Sequence, residues 1–453
     1  MNLYRLLLQR AEERQPLRVL LIGAGKFGSM FLAQARRTPG LHIVAVADLS
    51  PPRARESLSR TGWETERYAA RTLDEAARTG TTCVTEDSLR AIASNAVEIV
   101  IDATGSPAAG IRHALACIEH GKHIVMVNVE ADCLAGPLLA RRARDAGIVY
   151  SLAYGDQPAL ICEMVDWART AGFEVIAAGK GTKYLPAYHD STPDTVWGHY
   201  GFSADQVARG DFNPQMFNSF LDGTKSAIEM AAVANATGLT PAPDGLSFPP
   251  CGADDLARLL KPRAEGGQLS HRGQVEVVSS LDRDGRPVTR DLRWGVYVTF
   301  AADSDYVKRC FNEYGLVTDE PGNISAMYKP FHLIGLELGI SVASAGLRKE
   351  PTGCPTGFRG DAVAVAKRDL KEGETLDGEG GYTVWGRLMP AQDSLARGAL
   401  PIGLAHGVRL TRAIRKGDVL AWRDVVAPES EAVRLRREME ALFGAGSGQS
   451  KNI

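Results

Sequence analysis

Residues 18–37 read RVLLIGAGKFGSMFLAQARR. A short apolar run ends at Ile22, glycines follow at Gly23, Gly25 and Gly28, and the apolar residues beyond them recur at helical spacing. The pattern is G-x-G-x-x-G set between a strand and a helix. At such a turn the first glycine permits the tight bend and the second lets the backbone approach a pyrophosphate. The third lets helix pack on strand, and the helix N-terminus faces the negative charge. Lys26 and Phe27, between the glycines, count with the same cofactor site.

Working outward, HIVAVAD (42–48), VEIVIDATG (97–105) and GKHIVMVNVE (121–130) are further buried-strand runs, and PAAGIRHALACIEH is a helix between the last two. Strands alternating with helices predict a parallel sheet with right-handed crossovers, a dinucleotide-binding α/β domain over residues 1–152. Asp48 ends the second strand, where a carboxylate bonds a ribose 2′-hydroxyl and repels a 2′-phosphate. Arg53 and Arg55 follow it and could clamp a phosphate instead, or stand as surface arginines. Thr104 and Gly105 close the fourth strand, and Asn128 and Glu130 the next, where the nicotinamide side of a cofactor is expected.

The chain has 453 residues, 44% of them hydrophobic and 23% charged, and a formal net charge of −2. That is enough for two or three domains. The balance gives no basic surface for nucleic acid or anionic membrane, and no apolar run approaches the ~20 residues that span a bilayer. The amphipathic start, MNLYRLLLQRAEERQPLR, reads as a surface helix and lacks the apolar core of a signal peptide. Seven scattered cysteines, none in a C-x-x-C pair, fit reduced thiols in a cytoplasmic protein.

A second, α+β domain is expected over 153–350. The stretch 175–201 opens as a strand and runs on as a long polar, aromatic loop. GQVEVVSSLD and RWGVYVTFAA are two further strands, and 328–345 reads as a helix. Residues 214–237 read as one helix in which Asn218, Asp222, Lys225 and Glu229 fall at i, i+4, i+7 and i+11 on a single narrow stripe. The rest of that helix is apolar or small, so the stripe either makes internal pairs, Asp222–Lys225 and Lys225–Glu229, or lines a polar cleft. Gly223 in a helix interior costs about 1 kcal/mol relative to alanine, which is understandable where something must approach the backbone. GKGTKY (179–184) sets Lys180 and Lys183 among glycines after a strand, a pattern suited to a phosphate or carboxylate, with His189 nearby. Beyond 354, LKEGETL and IRKGDVL repeat 44 residues apart and predict a small all-β module over 355–430, followed by a helix and flexible tail over 431–453.

The strings IGAGKFGSMF, DATGSP, GKHIVMVNVEAD, AYGDQPA, FLDGTKSAIEMA and YKPFHLIGLELGISVASA, with the repeat-like β module, resemble homoserine-dehydrogenase-like oxidoreductases carrying a C-terminal SAF domain. Within that group the sequence is most similar to the DXR-like (DRL) reductoisomerases. The resemblance implies NADPH-dependent conversion of 1-deoxy-D-xylulose 5-phosphate to 2-C-methyl-D-erythritol 4-phosphate in a homodimer, with Mg²⁺ or Mn²⁺ as the divalent cation. NADP(H) is therefore expected over NAD(H), against the simplest reading of Asp48. On this reading Asp222 and Glu229 are candidate metal ligands and Lys225 stabilises an oxyanion. Lys180, Lys183, His189 and Asn218 bind the small-molecule substrate. Two alternatives stand beside it: a dehydrogenase of a hydroxy acid, sugar acid or semialdehyde without isomerisation, and a nucleotide-binding sensor without turnover.

Overall fold

A computed structural model describes residues 2–209 and 213–444. The tail from 445 lies outside the described residues. The chain forms two compact units, Met1–Glu163 with His332–Thr356 and Met164–Phe331 with Gly357–Ile453.

The first unit is a doubly wound α/β domain. It runs β1 (Leu17–Ile22), α1 (Lys26–Ala35), β2 (Leu41–Ala47), β3 (Cys83–Thr85), α2 (Ser88–Ala93), β4 (Ile99–Asp102), α3 (Pro107–Glu119), β5 (His123–Met126), α4 (Val129–Asp145) and β6 (Tyr150–Leu152). The six strands are parallel in the order β3-β2-β1-β4-β5-β6. Leu20, Leu21, Ile99, Val100, Ile101, Ile124 and Val125 are fully buried. That two-sided burial is why these strands read as continuous apolar runs without alternation. The order reverses beside β1, so the β1–α1 turn and the end of β4 flank the crevice where such sheets take ligands. Leu338, Val342 and Ala343 return from far along the chain to join this core.

The second unit holds a four-stranded sheet, β10-β9-β7-β8, built from β7 (Glu174–Thr182), β8 (Gln274–Ser279), β9 (Val296–Ala301) and β10 (Ile324–Lys329). β7 and β8 are parallel and the other pairs antiparallel. Two helices follow β7 in the chain, α5 (Pro214–Leu221) and α6 (Thr224–Thr237), and α6 lies against β8. Two small antiparallel sheets complete the unit: β11 (Gly360–Ala366) with β13 (Val384–Pro390), and β12 (Thr375–Asp377) with β14 (His406–Leu410) and β15 (Val425–Val426). α7 (Glu431–Gly444) ends the described chain. The repeats LKEGETL and IRKGDVL meet each other. Leu370 and Ile414 exchange both backbone hydrogen bonds, 2.8 and 3.0 Å, so equivalent positions of the two copies pair across a local two-fold.

Two sequence expectations are corrected. The stretch 214–237 is not one helix: α5 stops at Leu221, Asp222 caps it, and Gly223 turns the chain at φ 94° before α6 begins. The Asp222 carboxylate accepts the Thr224 N–H at 2.9 Å and so starts the second helix. The stretch 328–345 opens as the end of strand β10, crosses Pro330 and Gly335, and becomes helical only at Gly339–Ala343.

Candidate functional site

The glycine turn has the geometry its spacing requires. Gly23 is at φ 97°, and a Cβ there would lie 2.6 Å from the Ala103 carbonyl oxygen. A Cβ on Gly28 would collide with the Gly23 carbonyl oxygen, whereas one on Gly25 would stand in open space. That open space belongs to a cleft of about 550 Å³ lined by the turn, Asp48, Leu49, Arg53, residues 86–89, Ala103, Thr104, Ser106 and α3. Lys26 is exposed at the head of α1, and Phe27 packs against the core.

Asp48 is turned inward. Its carboxylate accepts the N–H groups of Ala24 and Ser50, each at 2.8 Å, and the Arg53 guanidinium at 2.7 Å. Burial alone would raise this carboxyl. The two backbone N–H groups and Arg53 outweigh it and hold the group below the usual carboxylate range. Arg53 itself is more than half exposed, so the cleft meets a cation where sequence reading placed an anion. Arg55 donates to the Tyr68 carbonyl at 3.2 Å.

At the other side Thr104 is fixed by Asp102, which accepts its N–H and hydroxyl at 3.1 and 2.8 Å. Gly105 follows at φ 66°. Asn128 is an N-cap: its oxygen accepts the Ala131 N–H at 3.1 Å, and its amide donates to the Ser106 carbonyl at 2.7 Å. The buried side chain thus ties α4 to the loop after β4. Glu130 stands half-buried in the first turn of α4.

In the second unit the stripe is dispersed by the break at Gly223. Asn218 has both amide hydrogens and its oxygen taken up, donating to the Ser191 and Gly380 carbonyls at 3.0 and 2.8 Å and accepting from Ser191 Oγ at 2.6 Å. It cross-links loops. Asp222 is fully buried, with Lys367 Nζ 2.8 Å away. Glu229 pairs with Lys180, and both are buried. Lys180 is therefore not on a loop. It lies inside β7, and the flanking glycines admit neighbouring backbone: a Cβ on Gly179 or Gly181 would collide with the carbonyls of Glu276 or Leu292. Lys225 is the second residue of α6 and half-buried.

Lys183 just follows the strand. Its ammonium donates to the His199 carbonyl at 2.5 Å, and burial, then Arg293, lowers its pKa. His189 stacks on Trp385 with ring centroids 3.9 Å apart; its Nε2 is 3.0 Å from the Tyr184 hydroxyl and its Nδ1 2.7 Å from the Asp222 carbonyl. Burial pushes its pKa down, so the ring is neutral near pH 7. Gly223 passes beneath this imidazole; a Cβ there would lie 3.1 Å from His189 Cε1.

Residues 155–338 match the family model "Oxidoreductase DRL, catalytic domain", and residues 17–127 match "Oxidoreductase family, NAD-binding Rossmann fold". Both descriptions are of oxidoreductases, and the second is of an NAD-binding fold.

Solved structures similar to this chain include one of an oxidoreductase from Agrobacterium radiobacter in complex with NAD⁺, L-tartaric acid and magnesium. It is 15% identical, over 37% of this chain and 44% of that one, at a TM-score of 0.27. Another is myo-inositol dehydrogenase from Lactobacillus casei with NAD(H) and myo-inositol, 13% identical over 40% of this chain and 50% of that one, TM-score 0.28. A probable dehydrogenase from Thermotoga maritima is 14% identical over 74% and 90%, TM-score 0.38. This chain thus spans about half the length of the first two. No protein of curated function matches.

The cleft at the glycine turn fits a nicotinamide dinucleotide: open space above Gly25, the N-terminus of α1, and a cation at the ribose end. Bound there, the dinucleotide supplies or accepts the hydride. The second expected group fits less well. Among the described residues no three His, Cys, Asp or Glu side chains gather into a group able to hold a metal, and Asp222 and Glu229 each already neutralise a lysine. As they stand, these two carboxylates are not a divalent-cation site. Lys367, the partner of Asp222, was missed from sequence because 145 positions separate the two; a lone lysine in a β module carries no local signal. Among the described residues no helix is long and apolar enough to cross a membrane.

Proposed function

We propose that this oxidoreductase acts as an NADPH-dependent reductoisomerase on 1-deoxy-D-xylulose 5-phosphate, giving 2-C-methyl-D-erythritol 4-phosphate for isoprenoid precursor synthesis. The observation that carries the reading is the match of residues 155–338 to the DRL catalytic domain, which contains FLDGTKSAIEMA and both lysine positions. Lys225, at the N-terminal turn of α6, supplies positive charge for the oxyanion, and Lys183 binds the phosphate end of the substrate. Lys180 and Glu229 keep that charge balanced inside the unit. The carbon skeleton rearranges first: one C–C bond of the hydroxyketone breaks as another forms to the ketone carbon. The hydroxyl-bearing carbon becomes an aldehyde, and its proton passes to the former ketone oxygen. That aldehyde would then take the hydride a bound NADPH supplies, with a proton going to its oxygen. The enzyme acts as a homodimer in the cytoplasm.

The test is NADPH oxidation by the purified chain with 1-deoxy-D-xylulose 5-phosphate, with and without Mn²⁺, and product identification by NMR. The methylerythritol phosphate is the expected product. Failure to oxidise NADPH, beside an active control enzyme, rejects the substrate.

One observation favours a second reading. Because Asp222 and Glu229 are occupied by lysines, reduction of a carboxylated or phosphorylated carbonyl without skeletal rearrangement needs nothing the site lacks. It predicts an unrearranged alcohol and no response to Mn²⁺.

Arg53 supports NADPH over NADH, because its exposed guanidinium covers the Asp48 carboxylate. Arg53→Ala removes a charge-assisted contact to a 2′-phosphate, and KM for NADPH should rise about 10- to 100-fold. KM for NADH should move less than about twofold by the same reasoning, since no phosphate is lost. Equal losses for both would assign Arg53 to Asp48 alone.

A further inference from the structure

At one end of the cofactor cleft lies a chain of polar groups that the glycine turn does not explain. Asp102 closes β4 and is fully buried. One of its oxygens accepts the Thr104 N–H and hydroxyl and, at 3.4 Å, the Asn128 amide. The other faces His113 Nδ1 at 2.5 Å. His113 Nε2 then lies 2.9 Å from Ser88 Oγ, and both residues line the cleft. Beside them two large apolar side chains stand open to the same space, Leu49 at 93% and Leu89 at 40% exposure.

With an uncharged imidazole the proton positions follow from the partners. A carboxylate only accepts, so Asp102 fixes the hydrogen of a neutral imidazole on Nδ1. His113 Nε2 is then an acceptor, and the Ser88 hydroxyl must donate to it. What Ser88 has left for the cleft is a pair of acceptor lobes. The rim therefore offers a hydrogen-bond acceptor between two apolar surfaces. A flat heterocycle with an exocyclic amino group complements that arrangement; one with a carbonyl at the same place opposes acceptor to acceptor. The three residue types are those of a nucleophilic triad, but a hydroxyl in a nucleotide cleft has no acyl group to attack.

We propose that the Asp102–His113–Ser88 chain reads the amino group of the cofactor's adenine, with Leu49 and Leu89 against the faces of the base. The proposal rests on the reading that this cleft takes the dinucleotide. It adds a base-specific contact, and it makes one buried carboxylate organise both the adenine side, through His113, and the nicotinamide side, through Thr104 and Asn128.

The experiment compares the dissociation constants of NADPH and of its hypoxanthine analogue, in which a carbonyl replaces the amino group, by nucleotide fluorescence with the full chain. Wild type should prefer the adenine form by about tenfold or more, since the analogue loses a donor and faces an unpaired acceptor. Ser88→Ala should bring the preference below about twofold, while Ser88→Thr, which keeps a hydroxyl, should retain it. Ser88 is half-buried at the start of a short helix, so its truncation leaves the core intact; His113→Phe gives a second reading of the same loss. A wild-type preference under twofold, or one that survives in Ser88→Ala, overturns the base contact and leaves the cofactor cleft standing. Folded wild type that binds neither dinucleotide overturns both.

Discussion

Lys367→Met will destabilise the protein by about 3–5 kcal/mol, because it leaves one charge of a buried pair behind. Asp222 is fully buried, and Lys367 Nζ sits 2.8 Å from its carboxylate. The same ammonium donates to the carbonyls of Ser191 and Gly381 at 2.7 and 2.8 Å. Methionine keeps most of the volume and removes all three interactions. Asp222 would then have the Thr224 N–H for company but no cation. The double variant Asp222→Asn with Lys367→Met should recover a large part of the loss, since a neutral amide tolerates burial that a bare carboxylate does not. Lys416→Met is the control: its pair with Asp190 is more than half exposed on both sides, and such pairs contribute under about 1 kcal/mol. Urea titrations of the four proteins measure this. A loss below about 1 kcal/mol for Lys367→Met would mean that water reaches Asp222 and that the pair is not sealed.

The position of Asp222 also shows where reading the sequence failed. Asp-Gly is a turn signal, and a carboxylate one residue ahead of a left-handed glycine is placed to cap the next helix. Apolar and small residues on both sides of Gly223 concealed this, because α6 is buried on nearly every side and shows no change of face at the break. The glycine turn at 23–28 and the parallel strands were legible because both signals are local: each strand is apolar throughout, and Gly23 and Gly28 answer to contacts within a few residues or just beyond the adjoining strand. The lysine at 180 was misplaced for the opposite reason. Glycines beside it suggest a loop, yet their cause is the backbone of Glu276 and Leu292, about a hundred residues away. Ion pairs such as Lys180 with Glu229 and hydrogen bonds such as Ser88 with His113 are set by tertiary packing, which no local pattern records. The return of Leu338 and Val342 to the first core is of the same kind. Asp48 was read correctly as the end of β2, but its orientation was not legible, because that depends on which N–H groups the turn at Ala24 presents.

A second large effect is expected at Asp132, in the first turn of α4. Its side chain is fully buried, and one oxygen accepts the Tyr150 hydroxyl at 3.0 Å. The other oxygen has no hydrogen-bond partner among the described residues. Gly136 one turn on leaves it room, since a Cβ there would collide with the carboxyl. Burial pushes the acid up to about 7 from its ordinary 3.8, with the Tyr150 hydrogen bond opposing only in part. The sign follows from proton binding. Between 3.8 and about 7 the folded protein keeps a proton that the unfolded chain releases, so stability falls as pH rises across that window and is level above it. A shift of that size corresponds to about 4 kcal/mol lost by pH 8. Asp132→Asn replaces the acid by a neutral group of the same shape. At pH 5 the asparagine variant should lead by only about 1.5 kcal/mol, because the folded acid is still protonated and only the unfolded chain has released its proton. At pH 8.5 the asparagine variant should be the more stable by about 3–4 kcal/mol, because the desolvated carboxylate is gone. Denaturant midpoints at the two pH values decide it. A stability difference that does not change between them would show that Asp132 is already ionised at pH 5, and that its second oxygen finds a donor or water in solution.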